Sequence, residues 1–245
     1  MKEVPPQFKK ERLSPFDKAA DFTVSQFSHW KNGKQFRELR TRDYIYSLKG
    51  FDELKCIFVH IPKAAGVSVN RELFGNLGGA HRTVRTYKRV FGPVRFKKYF
   101  KFTFVRNPYT RLLSAYRFLK RGGFCDVDKE WAEDNLGQYH SFAEFVHEWL
   151  TPESIMTYNH FRPQFMYLCD RSFEPEVDFI GRFESIDEDF EKVCQHLNIS
   201  RKLKKHNLDS EKEKHWTEFY TDRELEKVYQ IYQKDFELFN YSAEA

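Results

Sequence analysis

Twice the chain runs a short apolar segment straight into a turn and then a helix, and this pattern constrains the fold more than any other feature. Cys56 to Ile61 (CIFVHI) is an apolar, β-branched run closed by Pro62, and Val67 to Phe74 follows as a helix. Tyr99 to Val105 (YFKFTFV) has the same character, and Asn107-Pro108 supplies an N-cap and a first-turn proline for a helix over Tyr109 to Lys120. Strands alternating with helices predict an α/β fold, a parallel β-sheet flanked by helices, with ligands taken at the carboxyl ends of the strands.

The remaining segments fit around that unit. Val177 to Ile180 is expected as a third strand, with helices over Ser141 to Leu150 and Ile186 to Leu197. Gly122-Gly123 ends the helix before them, and the acidic stretch to Tyr139 reads as a loop. Thr221 and Glu224 form a capping box, and the helix they open repeats Leu225, Val228, Ile231, Tyr232, Phe236 and Phe239 at i, i+3, i+4 spacing. Residues 1 to 54 show no clean period and are taken as an N-terminal arm packed on one domain of residues 55 to 245.

Composition excludes some classes. With 40% hydrophobic and 18% aromatic residues among 245, the chain can bury a sizeable core, so general disorder is excluded. A formal charge of +5 suggests an anionic partner, but 36 acidic residues interleave with 41 basic ones, and nucleic acid does not follow from that balance. The basic residues are dense at His81 to Lys101 and Arg201 to Lys214. Cys56, Cys125, Cys169 and Cys194 form no CxxC pair, which argues against a zinc site or a disulfide framework and for mostly buried thiols. There is no apolar leader and no run of 18 apolar residues, so the expectation is a soluble, cytoplasmic protein, or a Golgi-lumen one if a membrane anchor has been left off.

Two segments carry chemistry. In FVHIPKAAGVSV, Phe58 to Val69, a strand enters a loop of small residues and leaves as a helix. Ala64, Ala65 and Gly66 let the backbone approach an anion, Lys63 adds a point charge, and the Ser68 hydroxyl can donate to a phosphate oxygen. An ordinary strand-to-helix turn would look the same on these residues alone. A nucleotide P-loop would need GK[ST] at the helix start, and here Lys63 precedes the small residues instead. In FVRNPYTRLLSAY, Phe104 to Tyr116, Arg106 ends a strand and Ser114 lies inside the next helix, so a guanidinium and a hydroxyl can meet one phosphate.

The first segment resembles the 5′-phosphosulfate loop of sulfotransferases that use 3′-phosphoadenosine-5′-phosphosulfate (PAPS), P-K-[ST]-[AG]-[GST]-[TS]-[ST]. Pro62, Lys63, Ala65, Gly66 and Ser68 match, while Ala64 and Val67 lack the usual hydroxyls. The second resembles the same superfamily's 3′-phosphate element, R-[ND]-P-x-x-[RD]-[LV]-x-S-x-[YF], with every fixed place filled. Later stretches, HFRPQFMYLC and VDFIGRFESIDEDFEKVCQHLNI among them, are similar to the branch holding heparan and chondroitin sulfate O-sulfotransferases and their bacterial relatives.

The resemblance implies a P-loop-like sulfotransferase fold and PAPS as co-substrate with no metal. It assigns Lys63, Ala64, Ala65, Gly66, Val67 and Ser68 to the 5′ end and Arg106 and Ser114 to the 3′-phosphate. Lys63 is also the expected electrostatic stabiliser of the departing phosphate. The acceptor would be a hydroxyl, expected on a glycan. Proton removal from it calls for a base, and His81, in GGAHRT, stands where the heparan sulfate 2-O-sulfotransferases carry their catalytic histidine. His160, in NHFRPQ, is the rival, and His60, on the strand, reads as packed. Arg82, Arg85, Lys88, Arg89, Lys97 and Lys98 could line a groove for an acidic saccharide. Three other readings stay open: a non-catalytic PAPS-binding member of the fold, a P-loop phosphotransferase, and a basic nucleic-acid-binding protein.

Overall fold

A computed structural model describes residues 15–170, 173–204 and 215–244. They fall into two compact units, one within residues 1–105 and 164–206 and the other within 106–163 and 207–245.

The first unit holds the sheet. Three parallel strands lie in the order β1 (Cys56–Val59), β2 (Phe100–Val105) and β3 (Phe179–Arg182), with Cys56 opposite Phe100 and Phe102 opposite Phe179. β1 is buried along its whole length, as its unbroken apolar run requires. Burial pushes the Cys56 thiol up to about 12. Lys101 is a buried cation in β2 and is satisfied locally, its Nζ 2.7 Å from Asp178 Oδ2 and donating to the Tyr99 carbonyl at 2.9 Å. Thr103 Oγ1 donates to the Val59 carbonyl at 2.7 Å, tying β2 to β1 beyond the ladder.

Helices flank the sheet, as the alternating pattern predicts. Preceding β1 are α1 (Pro15–Lys31), α2 (Gly33–Thr41) and α3 (Lys49–Leu54), so residues without a readable period are helical. Their order comes from tertiary anchors: Phe51 is fully buried against Phe74, Tyr87 and Phe91, and His29 Nδ1 donates to the Arg89 carbonyl at 2.8 Å. Between β1 and β2 lie α4 (Gly66–Phe74) and α5 (Val84–Lys98). α5 is broken at Gly92, whose φ is +68°, just before Pro93. The third strand sits two residues later than expected.

The second unit enters between β2 and β3. α6 (Pro108–Lys120) starts as its sequence demands, with Asn107 as N-cap accepting from the Tyr109 amide at 2.9 Å and Pro108 in the first turn. Residues 126–136, expected as loop, form α7 (Asp126–Leu136). Its acidic character is a helix-start signal: Asp126 and Asp128 lie in the first turn, where carboxylates suit the dipole, and Asp128, Ala132 and Leu136 are buried at i, i+4, i+8. The Phe124 amide donates to Asp128 Oδ2 at 2.7 Å and the Tyr158 hydroxyl to Asp128 Oδ1.

Ser141 caps the short α8 (Phe142–Glu144), which passes into a π-turn over Phe145–Trp149, where one continuous helix was expected. Back in the first unit, α9 (Phe165–Leu168) precedes β3, and α10 (Ile186–His196) follows it. The last helix, α11 (Asp222–Phe239), belongs to the second unit and opens with the predicted capping box. Val228, Tyr232, Phe236 and Phe239 of its stripe are buried, while Leu225 and Ile231 are half-buried.

The cysteines depart in one respect. Cys56 and Cys194 are buried and Cys169 is intermediate, but Cys125, the N-cap of α7, is exposed. No described helix is long and apolar enough to cross a membrane.

Candidate active site

The loop between β1 and α4 is built on two left-handed residues that are not glycine, Lys63 (φ +67°) and Ala65 (φ +62°). Ala65 is the N-cap of α4 and gives no side-chain cap, so the first amides of the helix are left to whatever lies before them. Ala64 is buried, which suits alanine where relatives of the motif carry a hydroxyl, and Lys63, Val67 and Ser68 are half-buried.

Gly66 has a reason to be glycine that its motif does not reveal. Its backbone is ordinary helix, but a Cβ there would lie 1.7 Å from His60 Cδ2 and 2.0 Å from His60 Nε2. His60, 5% exposed, therefore lies edge-on against the first residue of α4. Its Nδ1 is 3.4 Å from Asn70 Nδ2, one helical turn further along α4, and its ring stacks on Phe58 at 5.9 Å. Asn70 is wholly buried and its Oδ1 has no hydrogen-bond partner among the described residues.

The expected base stands beside this ring. His81 and His60 meet edge to face, with centroids 4.4 Å apart and planes at 63°. His81 Nδ1 is 3.4 Å from the His60 main-chain carbonyl, which can only accept, so a neutral His81 that donates there carries its hydrogen on Nδ1 and its lone pair on Nε2. The turn that delivers His81 contains Gly79 (φ +74°), where a Cβ would meet the Tyr87 hydroxyl at 2.1 Å. The first unit thus brings His81 and Gly66 of the small-residue loop against His60, with Lys63 and Ser68 a few residues from Gly66 along the chain. His60 and Asn70 are the residues that motif matching missed. The HIPK order and an asparagine one turn into a helix were the only signals for them.

Arg106 and Ser114 belong to the second unit. Arg106 is buried, and its Nε donates to Thr110 Oγ1 at 2.9 Å. Thr110 is four residues before Ser114 on α6, hence on the same face, and its hydroxyl also donates to the Asn107 carbonyl at 3.1 Å. Thr110 was not singled out by the motif, in which its position is unspecified. His160 sits in an aromatic stack with Phe118 (5.1 Å) and Tyr158 (5.4 Å), and its carbonyl accepts from Arg111 Nη1 at 3.2 Å.

The basic segment after His81 is less uniform than its composition suggests. Arg85, Lys97 and Lys98 are exposed, but Lys88 Nζ pairs with Glu176 at 2.6 Å, Arg82 Nη1 donates to the Gly79 carbonyl at 2.5 Å, and the break at Gly92 separates the last two lysines from the rest. Of the second basic stretch, Arg201 to Lys214, residues 205–214 lie outside the described residues. Among the described residues no group of three or more His, Cys, Asp or Glu is placed to hold a metal.

Comparison with known proteins places the chain in a family. The chain is 27% identical to mouse carbohydrate sulfotransferase 12, over 66% of this chain and 46% of that protein, and 30% identical to mouse carbohydrate sulfotransferase 11, over 60% and 48%. An uncharacterised protein of Archaeoglobus fulgidus is 33% identical over 46% of this chain and 78% of its own length. The chain spans about half the length of the mouse relatives it matches. No solved structure matches. The family model for the sulfotransferase family matches residues 48–242, and the chain belongs to that family.

Proposed function

We propose that the chain transfers the sulfuryl group of PAPS to a hydroxyl of a carbohydrate. The observation that carries this reading is the approach of His81 Nδ1 to the His60 carbonyl, 3.4 Å, beside a loop of anion-binding type: a neutral ring donating there keeps Nε2 as the proton acceptor.

In the transfer, the bond from sulfur to the phosphate oxygen breaks as the acceptor oxygen bonds to sulfur. The acceptor's proton passes to His81 Nε2, and adenosine 3′,5′-bisphosphate departs. Like phosphoryl transfer, such a reaction draws mostly on positioning and charge stabilisation. Lys63 is the cation for the bridging oxygen and the departing phosphate. The loop amides and Ser68 hold the 5′ end, while Arg106 and Ser114 take the 3′-phosphate, with Thr110 holding the Arg106 guanidinium by its Nε. His160, stacked between two aromatic rings, is better suited to packing than to proton transfer. The names of the mouse relatives support a glycan acceptor.

Labelled PAPS offered with a panel of glycans, phenols and tyrosyl peptides tests the activity, and a glycan product is expected. Calorimetry with adenosine 3′,5′-bisphosphate and AMP tests the nucleotide site, with the bisphosphate expected to bind far more tightly. Equal affinity for the two would refute the PAPS assignment. Tight bisphosphate binding with no labelled product from any acceptor would instead indicate a non-catalytic member of the family, in keeping with the missing hydroxyls at Ala64 and Val67.

A further inference from the structure

The geometry points to His60 as a positioning residue for His81, acting with Asn70, in the proposed transfer. The inference rests on the reading of His81 as the base.

His81 is a half-buried residue on a turn, between Ala80 (φ +50°) and the start of α5, and such a side chain is not oriented by its own backbone. Its bond from Nδ1 to the His60 carbonyl is 3.4 Å long, near the limit at which a hydrogen bond still directs a ring. It also packs edge to face against the His60 imidazole at 4.4 Å. One residue thus supplies both an acceptor and a surface.

His60 itself is held on three sides. Phe58 of β1 stacks on it, Gly66 closes on its Cδ2–Nε2 edge, and Asn70 meets its Nδ1. Donation from Asn70 Nδ2 places the neutral His60 hydrogen on Nε2, the opposite tautomer to His81. With the amide turned over, its Oδ1 would accept from a protonated Nδ1 instead. Either orientation ties the ring plane to α4, the helix whose first turn borders the anion loop. The chain therefore couples the direction of the base to the helix that faces the donor. Misplacing a reacting group by about 1 Å costs roughly 100-fold in rate, so the coupling is worth having.

The test is a mutant cycle with His60→Ala, Asn70→Ala and His81→Ala, read by turnover, the KM for PAPS and calorimetric binding of adenosine 3′,5′-bisphosphate. We expect His60→Ala to lower kcat roughly 100-fold with KM and bisphosphate affinity nearly unchanged, and Asn70→Ala to lower it by a smaller factor. In a His81→Ala background, neither should lower the residual rate further, because a residue that acts only through His81 has nothing left to orient. Wild-type kcat in His60→Ala, or a full additional loss in the His81→Ala background, would overturn the proposal while leaving the base assignment intact. Undiminished transfer by His81→Ala would remove the base and this inference together. Should His60→Ala fold poorly, Asn70→Ala decides the matter: normal bisphosphate binding with normal kcat would overturn the coupling.

Discussion

Gly66→Ala perturbs the site at its tightest contact. The added Cβ would lie 1.7 Å from His60 Cδ2, where an ordinary contact is 3.4 Å or more, so the ring has to retreat by about 1.7 Å. It cannot do so within its present packing, because Phe58 and Asn70 hold it on other sides. Overpacking of this severity belongs at the upper end of the usual penalty, about 3 kcal/mol. Alanine in place of glycine returns at most about 1 kcal/mol, the interior-helix value, at this first helical position. The net expectation is a loss of about 2 kcal/mol, which for a chain of this size lowers the melting temperature by roughly 4 to 8 °C.

Urea and thermal denaturation measure that loss, and a second variant identifies its cause. In His60→Ala the clashing ring is gone, so adding Gly66→Ala should be neutral or stabilising by about 1 kcal/mol. Two results would refute the reasoning: a Gly66→Ala protein that melts with the wild type, or a Gly66→Ala penalty that persists unchanged once His60 is alanine.

Other outcomes are expected from single changes. Lys63→Ala should lower turnover far more than stability, since in the proposed transfer this half-buried loop cation serves the departing phosphate rather than the core; normal turnover in a folded variant would exclude it from the reaction. Arg106→Ala should weaken adenosine 3′,5′-bisphosphate by roughly 10- to 150-fold, the range for a lost charge-assisted bond, and leave AMP unchanged, and Thr110→Val should weaken the bisphosphate about fivefold by releasing Nε. Burial alone would raise the Asp189 carboxyl, but bonds from Lys192 Nζ (2.7 Å), the Arg182 amide (2.8 Å) and Ser185 Oγ (2.9 Å) outweigh it and hold the group below its usual range. A carboxyl lowered in the folded state stabilises above its unfolded pKa, and that contribution disappears as pH falls through the folded value. Acid titration of stability should therefore show a component absent from Asp189→Asn, which at neutral pH should be less stable by about 2 kcal/mol.

Much of the fold could be read from residues because its signals are local. An unbroken apolar run can be satisfied only by a fully buried strand, and Asn107-Pro108 and the Thr221/Glu224 pair place helix starts by their own hydrogen bonds. The acidic segment before Tyr139 misled because charge on a helix's outer face and charge in a loop look alike, and the buried spacing of Asp128, Ala132 and Leu136 puts an aspartate on the inner face. Helices α1 to α3 were illegible for another reason, since what orders them is distant partners such as the Arg89 carbonyl and the Tyr87 ring. At the site, loop residues follow from their motif. The placement of His60 against Asn70 does not, because it depends on a ring reaching from the residue after β1 onto α4, which no linear pattern records.

The left-handed backbone at Lys63 and Ala65 has a thermodynamic consequence. Each such residue costs about 1 kcal/mol or more that a glycine would avoid, and it persists only where its surroundings dictate the conformation. A glycine at either place would sample many shapes in the free protein and surrender them on meeting an anion. With lysine and alanine the loop takes its shape when the chain folds, so that freedom is already spent before any ligand arrives. Anion binding should then carry little penalty from loop ordering. Lys63→Gly, which also deletes the cation, and Ala65→Gly, which does not, would separate charge from rigidity: the second should leave binding enthalpy largely intact and make its entropy less favourable.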